Sequence, residues 1–197
     1  MRKSLIVDTA QVMGIMDGSI TMFYEPIKHQ PDPKAKEVVP TDNWKGFHFA
    51  SRFPFRNGYG SLLYEVIDLY KVAYPVGSKV YLREKWLQGY EMDDGIFKLD
   101  DGGELIDKVW YYAETPSLNW YDGNSDWPME RTPWKSASTM PKEAARTWIE
   151  ITGVKCVRVQ DALKTSEGYI KKYGQHSWDN NYYIFLYDFK KVDVQAG

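Results

Sequence analysis

Two segments near the C-terminus constrain the fold more than any other part of the chain. Residues 147–159 and 182–194 are rich in β-branched and aromatic side chains, which favour the pleated, half-buried surface of a sheet. We therefore predict a long strand in each segment. Gly153 interrupts the first of them, and a glycine inside a strand is typical of a kink or a bulge.

The N-terminal part predicts a strand, a short helix and a second strand. Residues 4–7 predict the first strand. Asp8 is placed as the N-cap of the helix, Gln11 as its capping-box partner, and Gly18 is suited to the helix end. Residues 20–24 predict the second strand.

The middle of the chain alternates between short strands and turns. Residues 80–84 predict a strand that places Val80 and Leu82 on one face. Residues 64–72 fit either a strand or a short helix, and periodicity does not decide between them. We also expect a loop over 30–40, an irregular surface excursion over 47–61, an exposed hairpin around 96–99, a strand over 109–113 and a helical turn over 161–169.

Many short strands joined by turns, with only short helices, are typical of a compact β-barrel rather than an α/β sandwich. The fold class that we predict is therefore α+β, mainly β. We expect a single domain over residues 1–197, with insertions at about 30–75 and 88–133. A chain of this length buries enough surface to fold without a metal or a disulfide.

The composition narrows the classes of function. The net charge of −2 gives no global attraction for a polyanion, although it does not exclude a local basic pocket. The single cysteine, Cys156, and the lack of a signal-peptide pattern lead us to expect the cytoplasm. No apolar run approaches the roughly 20 residues that span a bilayer, so we expect no membrane partner. Aromatic residues make up 16% of the chain; they favour strands, and they also stack on bases in proteins that bind single strands.

Four blocks of sequence resemble phage- and prophage-encoded proteins of the ASCH family, a branch of the PUA-like superfamily. The family has Asp-Gly-Arg-Lys-Thr followed by Ile-Lys-Pro-Gln-Pro, then Gly-Asp-X-Leu-Trp-Val-Arg-Glu-Thr-Trp, then Trp-Lys-Pro-Ser-X-X-Met-Pro-X-X-Ala-Ser-Arg, and last Trp-Asp-X-Asn-Pro-Trp-Val-Trp. The corresponding segments here are 15–21 with 27–31, 77–86, 134–146 and 178–185. The blocks occur in family order along nearly the whole chain. The resemblance implies a PUA-like/ASCH β-barrel with short helices and long loop insertions.

The catalytic residues of the family are only partly matched. In relatives that hydrolyse an acetylated cytidine, a lysine, a threonine and a later glutamate form the catalytic group. Here the lysine position is Ile20 and the threonine position is Phe23, whereas Glu167 matches the glutamate. Isoleucine has no amine to act as nucleophile or base, and phenylalanine has no hydroxyl. The resemblance thus leaves Glu167 as the only catalytic candidate, unless Lys28 or Lys79 has taken over the role of the lysine.

The resemblance also selects candidate ligand-binding residues. Arg83 and Glu84 are adjacent on a predicted strand, so their side chains face opposite ways. Arg83, and likewise Arg146, is either a planar donor for phosphate or a base edge, or a partner in a structural ion pair. Trp86 and Trp134 either stack on a base or pack in the core. The ligand-binding set that we predict is Thr21, Lys28, Arg83, Glu84, Trp86, Trp134, Lys135, Arg146 and Glu167.

We predict no metal and no cofactor. His29, His48 and His176 lie far apart in sequence, without metal-ligand spacing. The Asp-rich turns at 93–94 and 100–101 lack the ligand spacing and the terminal glutamate of an EF-hand. The sequence also has no nucleophile elbow, phosphate loop, dinucleotide fingerprint or Cys-x-x-Cys motif.

The function that we predict is the non-catalytic binding of RNA, single-stranded nucleic acid or a modified nucleoside, in the cytoplasm of a phage host. One alternative is an enzyme with rearranged catalytic residues, either a nucleoside amidohydrolase or a ribonuclease. The other is a phage accessory protein that binds a host protein through the aromatic insertion between residues 42 and 74. The sequence does not indicate the oligomeric state.

Overall fold

The computed structural model describes residues 4–41, 48–91, 97–99, 108–116, 120–121 and 134–193. These residues are mainly strands with a few short helices, which confirms the predicted α+β, mainly β class. The α-helices are α1 (Thr9–Asp17), α2 (Val159–Ala162), α3 (Glu167–Tyr173) and α4 (Gln175–Asp179), and two 3-10 helices cover Ala137–Thr139 and Lys142–Ala144. The strands are β1 (Ser4–Ile6), β2 (Met22–Pro26), β3 (Glu37–Pro40), β4 (Phe49–Arg56), β5 (Leu62–Tyr70), β6 (Lys79–Arg83), β7 (Trp86–Glu91), β8 (Phe97–Leu99), β9 (Lys108–Tyr111), β10 (Trp120–Tyr121), β11 (Trp148–Arg158) and β12 (Tyr183–Val192).

The chain divides into two compact units. The first unit contains residues 22–78 and 151–190, and the second contains 2–21, 79–150 and 191–197. Strand β11 contributes to both, because its first three residues belong to the second unit and the others to the first. That the whole chain forms one domain stays a prediction.

The first unit contains two groups of paired strands, in the orders β11–β12–β2 and β3–β4–β5. β12 and β2 are antiparallel, with Tyr187 opposite Phe23. The Phe23 ring stacks on the Tyr187 ring at 4.6 Å and meets the Tyr74 ring edge-on at 5.5 Å. The core of this unit is therefore largely aromatic, in agreement with the composition.

The second unit also contains two groups of strands, in the orders β1–β6–β11 and β10–β8–β7–β9. β6 pairs with β1 in parallel and with β11 antiparallel. Val80 and Leu82 are both buried, which confirms that they share one face of β6 and shows that this face points into the core.

Helix α1 begins and ends as predicted. The Asp8 carboxylate accepts from the Gln11 N–H at 2.8 Å, and the Gln11 side chain accepts from the Asp8 N–H at 3.1 Å. Gly18 follows the helix with φ 83°, in the left-handed region that a glycine adopts without strain. Both signals act within a few residues, so the sequence alone was enough to find them.

Three predictions about the fold need correction. The predicted barrel is not closed, because β1 pairs only with β6 and β2 only with β12 within the described residues, so the sheets are open. The loop predicted over 30–40 ends in strand β3. The irregular excursion predicted over 47–61 is largely strand β4, whose apolar and charged side chains alternate around Pro54. The predicted insertion at about 30–75 contains strands β3, β4 and β5, which pair with one another. The predicted insertion at about 88–133 contains β8, β9, β10 and most of β7, which form a second group of paired strands.

Candidate functional site

Arg146 and Glu84 form a bidentate ion pair in the second unit. Arg146 Nε donates to Glu84 Oε1 at 2.9 Å, and Nη2 donates to Oε2 at 3.0 Å. Glu84 is 2% exposed, and its backbone N–H faces Sδ of Met140 at 3.3 Å. The third nitrogen, Nη1, pairs with Glu114, whose side chain is half exposed. The sequence left open whether Arg146 contacts a ligand or forms a structural ion pair. The observed contacts are those of a structural ion pair with Glu84.

An aromatic ring covers the same guanidinium. Arg146 Cζ lies 4.0 Å from the centroid of Tyr111, and the Tyr111 hydroxyl donates to the Ala144 carbonyl at 2.8 Å. Burial alone would lower the pKa of Arg146, but the hydrogen bonds and charge of Glu84 raise that pKa above its ordinary value. A phosphate would have to displace a carboxylate to reach this cation. The cluster is thus suited to stabilising the fold rather than to binding an anion.

Trp86 and Lys135 hold two segments of the second unit together. Lys135 donates its backbone N–H to the Trp86 carbonyl at 3.0 Å, and Lys135 Nζ lies 4.9 Å from the Trp86 ring centroid. The Trp86 indole is 4% exposed and donates to Thr139 Oγ1 at 3.2 Å. A base has no access to this ring in the observed conformation. Trp134 packs edge-on against Tyr112 at 5.4 Å.

Arg83 retains an unused donor. Its side chain is half-buried, and Nε has no hydrogen-bond partner among the described residues. The backbone of Arg83 is fixed, since its carbonyl accepts from the Val7 N–H at 3.0 Å. The role of Arg83 in ligand binding stays a prediction.

The remaining predicted site residues are scattered and exposed. Thr21 belongs to the second unit, whereas Lys28 and Glu167 belong to the first. Glu167 lies in the first turn of α3 and faces solvent. Within the described ranges, none of these three side chains makes a hydrogen bond or an ion pair.

The two positions that depart from the ASCH catalytic pattern hold packed hydrocarbons. Ile20 donates its N–H to the Gly14 carbonyl at 2.8 Å, and a Cβ on Gly14 would come within 2.6 Å of Ile20 Cδ1. Phe23 belongs to the aromatic core of the first unit, as described above. Both side chains contribute to packing and offer no group for proton transfer.

Strands β4 and β5 form a hairpin with an ordered turn. Gly60 N–H donates to the Asn57 carbonyl at 2.9 Å, and Asn57 N–H donates to the Ser61 carbonyl at 3.0 Å. The Asn57 side chain accepts from the N–H groups of Tyr59 and Ser61 at 3.1 and 2.9 Å. With Gly60 at φ 79°, this is a three-residue loop of the type with a left-handed glycine. It presents the Tyr59 side chain to solvent.

One face of the outer hairpin combines arginines with an aromatic ring. Directly opposed residues point to the same side of a sheet, and the register opposes Arg52 to Val66, Pro54 to Tyr64 and Arg56 to Leu62. We call these six residues the basic face. Arg52 Cζ lies 5.8 Å from the Tyr64 centroid, and Arg56 Nη1 donates to the Gly60 carbonyl at 2.8 Å.

An open groove of about 690 Å³ adjoins the basic face and includes Arg52 and Val66 in its lining. Its other lining residues lie at the end of β3 and on the inner parts of β4 and β5. The predicted ligand-binding set contains none of these residues, although the aromatic insertion between residues 42 and 74, which was considered for binding a host protein, includes the hairpin. The signal that was present is the alternation on each side of the turn at 57–60, in the order Arg-Phe-Pro-Phe-Arg and Leu-Leu-Tyr-Glu-Val.

The other face of the outer hairpin is apolar. The register opposes Phe53 to Glu65 and Phe55 to Leu63. We call these four residues the apolar face. Phe53, Phe55 and Leu63 are all exposed, although they are large hydrophobic side chains.

Two observations concern metal binding and thiol chemistry in the described residues. Within the described residues, no group of three or more His, Cys, Asp and Glu side chains could hold a metal ion. Burial raises the pKa of the Cys156 thiol to about 12, so it stays protonated. The helices of the described segments include none that is long and apolar enough to cross a membrane.

Comparisons of the chain with protein-family models, with curated proteins and with solved structures found no match.

Proposed function

We propose that this chain is a non-catalytic module that binds single-stranded nucleic acid, RNA in particular, on the basic face of the β4–β5 hairpin. The observation that supports this proposal is the placement of Arg52 over the Tyr64 ring beside Arg56. Arginine contacts phosphates and stacks on bases, and an aromatic ring stacks on a base of any sequence. Tyr59, 96% exposed at the hairpin tip, offers a second ring.

The basic face has two cationic side chains, Arg52 and Arg56, which fits a ligand that is held mainly by stacking. The chain has a net charge of −2, so binding cannot depend on a general attraction to phosphates. Two arginines on one face would neutralise about two phosphates, which gives a logarithmic salt dependence with a slope of about −1.4 for a single strand. Each stacked base adds about 1–3 kcal/mol.

The absence of catalysis belongs to the same proposal. It is supported by the packing of Ile20 and Phe23, which places hydrocarbons where hydrolytic ASCH proteins have an amine and a hydroxyl. The ASCH and PUA-like assignment and the phage origin rest on the order of the four sequence blocks. Incubation of the pure protein with acetylated cytidine and with labelled RNA should give no turnover.

Fluorescence anisotropy with a labelled, unstructured RNA tests the binding. We expect the variant Arg52→Ala/Arg56→Ala to bring the salt slope close to zero. We expect Tyr59→Ala and Tyr64→Ala each to weaken binding between about 5-fold and 150-fold. Lys164→Ala is the matched control, because it removes an exposed cation elsewhere in the first unit and should change nothing. Binding that is lost equally in the control, or no binding at low salt, would refute the proposal.

A further inference from the structure

Strand β5 has an open edge. In the described part of the chain the sheet order is β3–β4–β5, so no strand pairs with the far side of β5. Residues 62–66 are all exposed. Natural sheets usually protect such an edge with lysine, proline or a covering loop, because the unpaired backbone groups can pair with another chain. The segment 62–66 has neither lysine nor proline.

The hydrogen-bond pattern shows which backbone groups face this edge. Pro54 has no N–H, and the Arg52 carbonyl accepts from the Lys36 N–H at 2.9 Å, so positions 52 and 54 do not exchange hydrogen bonds with β5. In an antiparallel pair, positions with and without mutual hydrogen bonds alternate. The opposed residues Tyr64 and Val66, and by the same alternation Leu62, therefore direct their N–H and C=O groups away from β4.

Large apolar side chains are exposed on both faces of the hairpin at this edge. A large apolar side chain presents roughly 150–250 Å² when fully free, so fractions of about 36% to 53% give roughly 60–120 Å² each and roughly 500 Å² together. These side chains lie on both faces of the hairpin and flank the β5 edge from either side, and exposed apolar surface of several hundred Å² often marks an interaction site. Two copies would cover up to roughly 1,000 Å², which reaches the lower limit of a specific interface. The side chains and their exposed fractions are Phe53 36%, Phe55 40%, Leu62 53%, Leu63 42%, Tyr64 46% and Val66 50%.

We propose that two copies of this chain associate by antiparallel pairing of their β5 edges, around a two-fold axis at Tyr64. With Tyr64 opposite Tyr64 of the second copy, Leu62 lies opposite Val66, and all three positions are those whose N–H and C=O groups face outward. The contact is self-complementary, as a two-fold interface requires.

The charges are compatible with this register. The only ionised side chain in residues 62–66 is Glu65, and it lies opposite Leu63 of the second copy rather than opposite its own equivalent. No like charges are therefore directly opposed across the new strand pair. The two basic faces would lie on the same side of the joined sheet and would present four arginines in place of two.

Sedimentation equilibrium of nucleic-acid-free protein tests the association. We expect a reversible species of twice the 23.0 kDa chain mass, with a micromolar dissociation constant in keeping with a small interface. Tyr64→Pro removes an outward N–H without removing a bond to β4 and should give the single-chain mass. Met13→Lys, which changes an exposed apolar residue of α1, should leave the double mass unchanged. A single-chain mass for the unaltered protein, or a mixture of large aggregates, would overturn the proposal.

Cross-linking tests the register and does not depend on Tyr64→Pro folding. In a Cys156→Ser background, Leu63→Cys of one copy lies opposite Glu65→Cys of the other. This is a pair without mutual hydrogen bonds, with Cα atoms about 4.5 Å apart, within the range of a disulfide. The equivalent positions in the two copies are diagonal neighbours at about 7–8 Å and do not react. A mixture of the two single variants should therefore oxidise to a covalent dimer that neither variant forms alone. Equal cross-linking in all three samples, or none, would contradict the register. Neither readout uses RNA, so failure of the dimer and failure of RNA binding are distinguishable.

Discussion

Replacing Arg146 with methionine tests how much the ion pair with Glu84 stabilises the second unit. The substitution keeps a long apolar side chain near Tyr111 and removes both donors from the Glu84 carboxylate. The Glu84 side chain is only 3% exposed, so water cannot replace those donors without local rearrangement. We expect the free energy of unfolding to fall.

The size of this loss follows from the burial and the contacts. Removing one partner of a buried ion pair costs about 3–5 kcal/mol, because the other charge stays buried without a counterion. The lost contact between the Arg146 guanidinium and the Tyr111 ring, at 4.0 Å, adds about 0.5–1 kcal/mol. For a chain of this length, the summed loss of about 3.5–6 kcal/mol lowers the melting temperature by about 7–24 °C.

Urea denaturation followed by tryptophan fluorescence measures the change. The double variant Glu84→Leu/Arg146→Met should recover most of the loss, since apolar residues often replace a buried pair without cost. Lys155→Met is the control, because Lys155 pairs with Asp188 at 3.3 Å with its side chain 63% exposed, and an exposed pair contributes at most about 1 kcal/mol. A loss below about 1 kcal/mol for Arg146→Met, or a double variant no more stable than the single one, would refute the reasoning.

Three further predictions concern other parts of the fold. Gly18→Ala should lower the free energy of unfolding by about 1 kcal/mol in urea denaturation, because φ is 83° at this position. Gly14→Ala should cost about 1–3 kcal/mol through its contact with Ile20, and Gly14→Ala/Ile20→Ala should cost less than the sum of the two single changes. Burial and the charge of Lys71 lower the pKa of His48, so unfolded His48 binds more protons than folded His48 between that pKa and 6.5. The stabilisation is complete above pH 6.5 and is lost as the pH falls through the folded pKa; a His48→Gln variant should show a flatter pH profile of unfolding free energy.

Each of these three has an outcome that contradicts it. An unchanged urea midpoint for Gly18→Ala would mean that the helix end relaxes without strain. Additive costs at positions 14 and 20 would mean that the two side chains do not share the same space. A stability that rises on acidification and depends on His48 would reverse the sign expected from burial.

The parts of the fold that were predicted correctly depend on neighbouring residues. The capping box between Asp8 and Gln11 and the glycine after α1 act over three or four residues, so the sequence alone contains the full signal. The strong β-formers of β12 likewise indicate a strand without knowledge of its partners. Strand β4 was missed because both of its faces are partly exposed in its outer half, so the apolar and polar residues do not separate in the usual way.

The candidate sites depend on contacts that the sequence does not specify. Arg146 and Glu84 are 62 residues apart, and nothing local to either shows that they meet. The basic face depends on the register of β4 and β5, which shifts between Ser51 and Arg52. A register shift of one residue moves a strand's side chains to the other face, so the sequence could not place Arg52 and Tyr64 together.

Two contacts determine where the length of this chain can change. One joins Trp86 to Lys135, and the other joins Glu84 to Arg146. They join the two ends of the segment between residues 86 and 135, so that the geometry of those ends is set outside it. The entropy of closing such a loop rises only by about 0.6 kcal/mol for each doubling of its length. Insertions and deletions in this segment that leave strands β7 to β10 and the contacts of Tyr111 and Glu114 intact should therefore cost little stability.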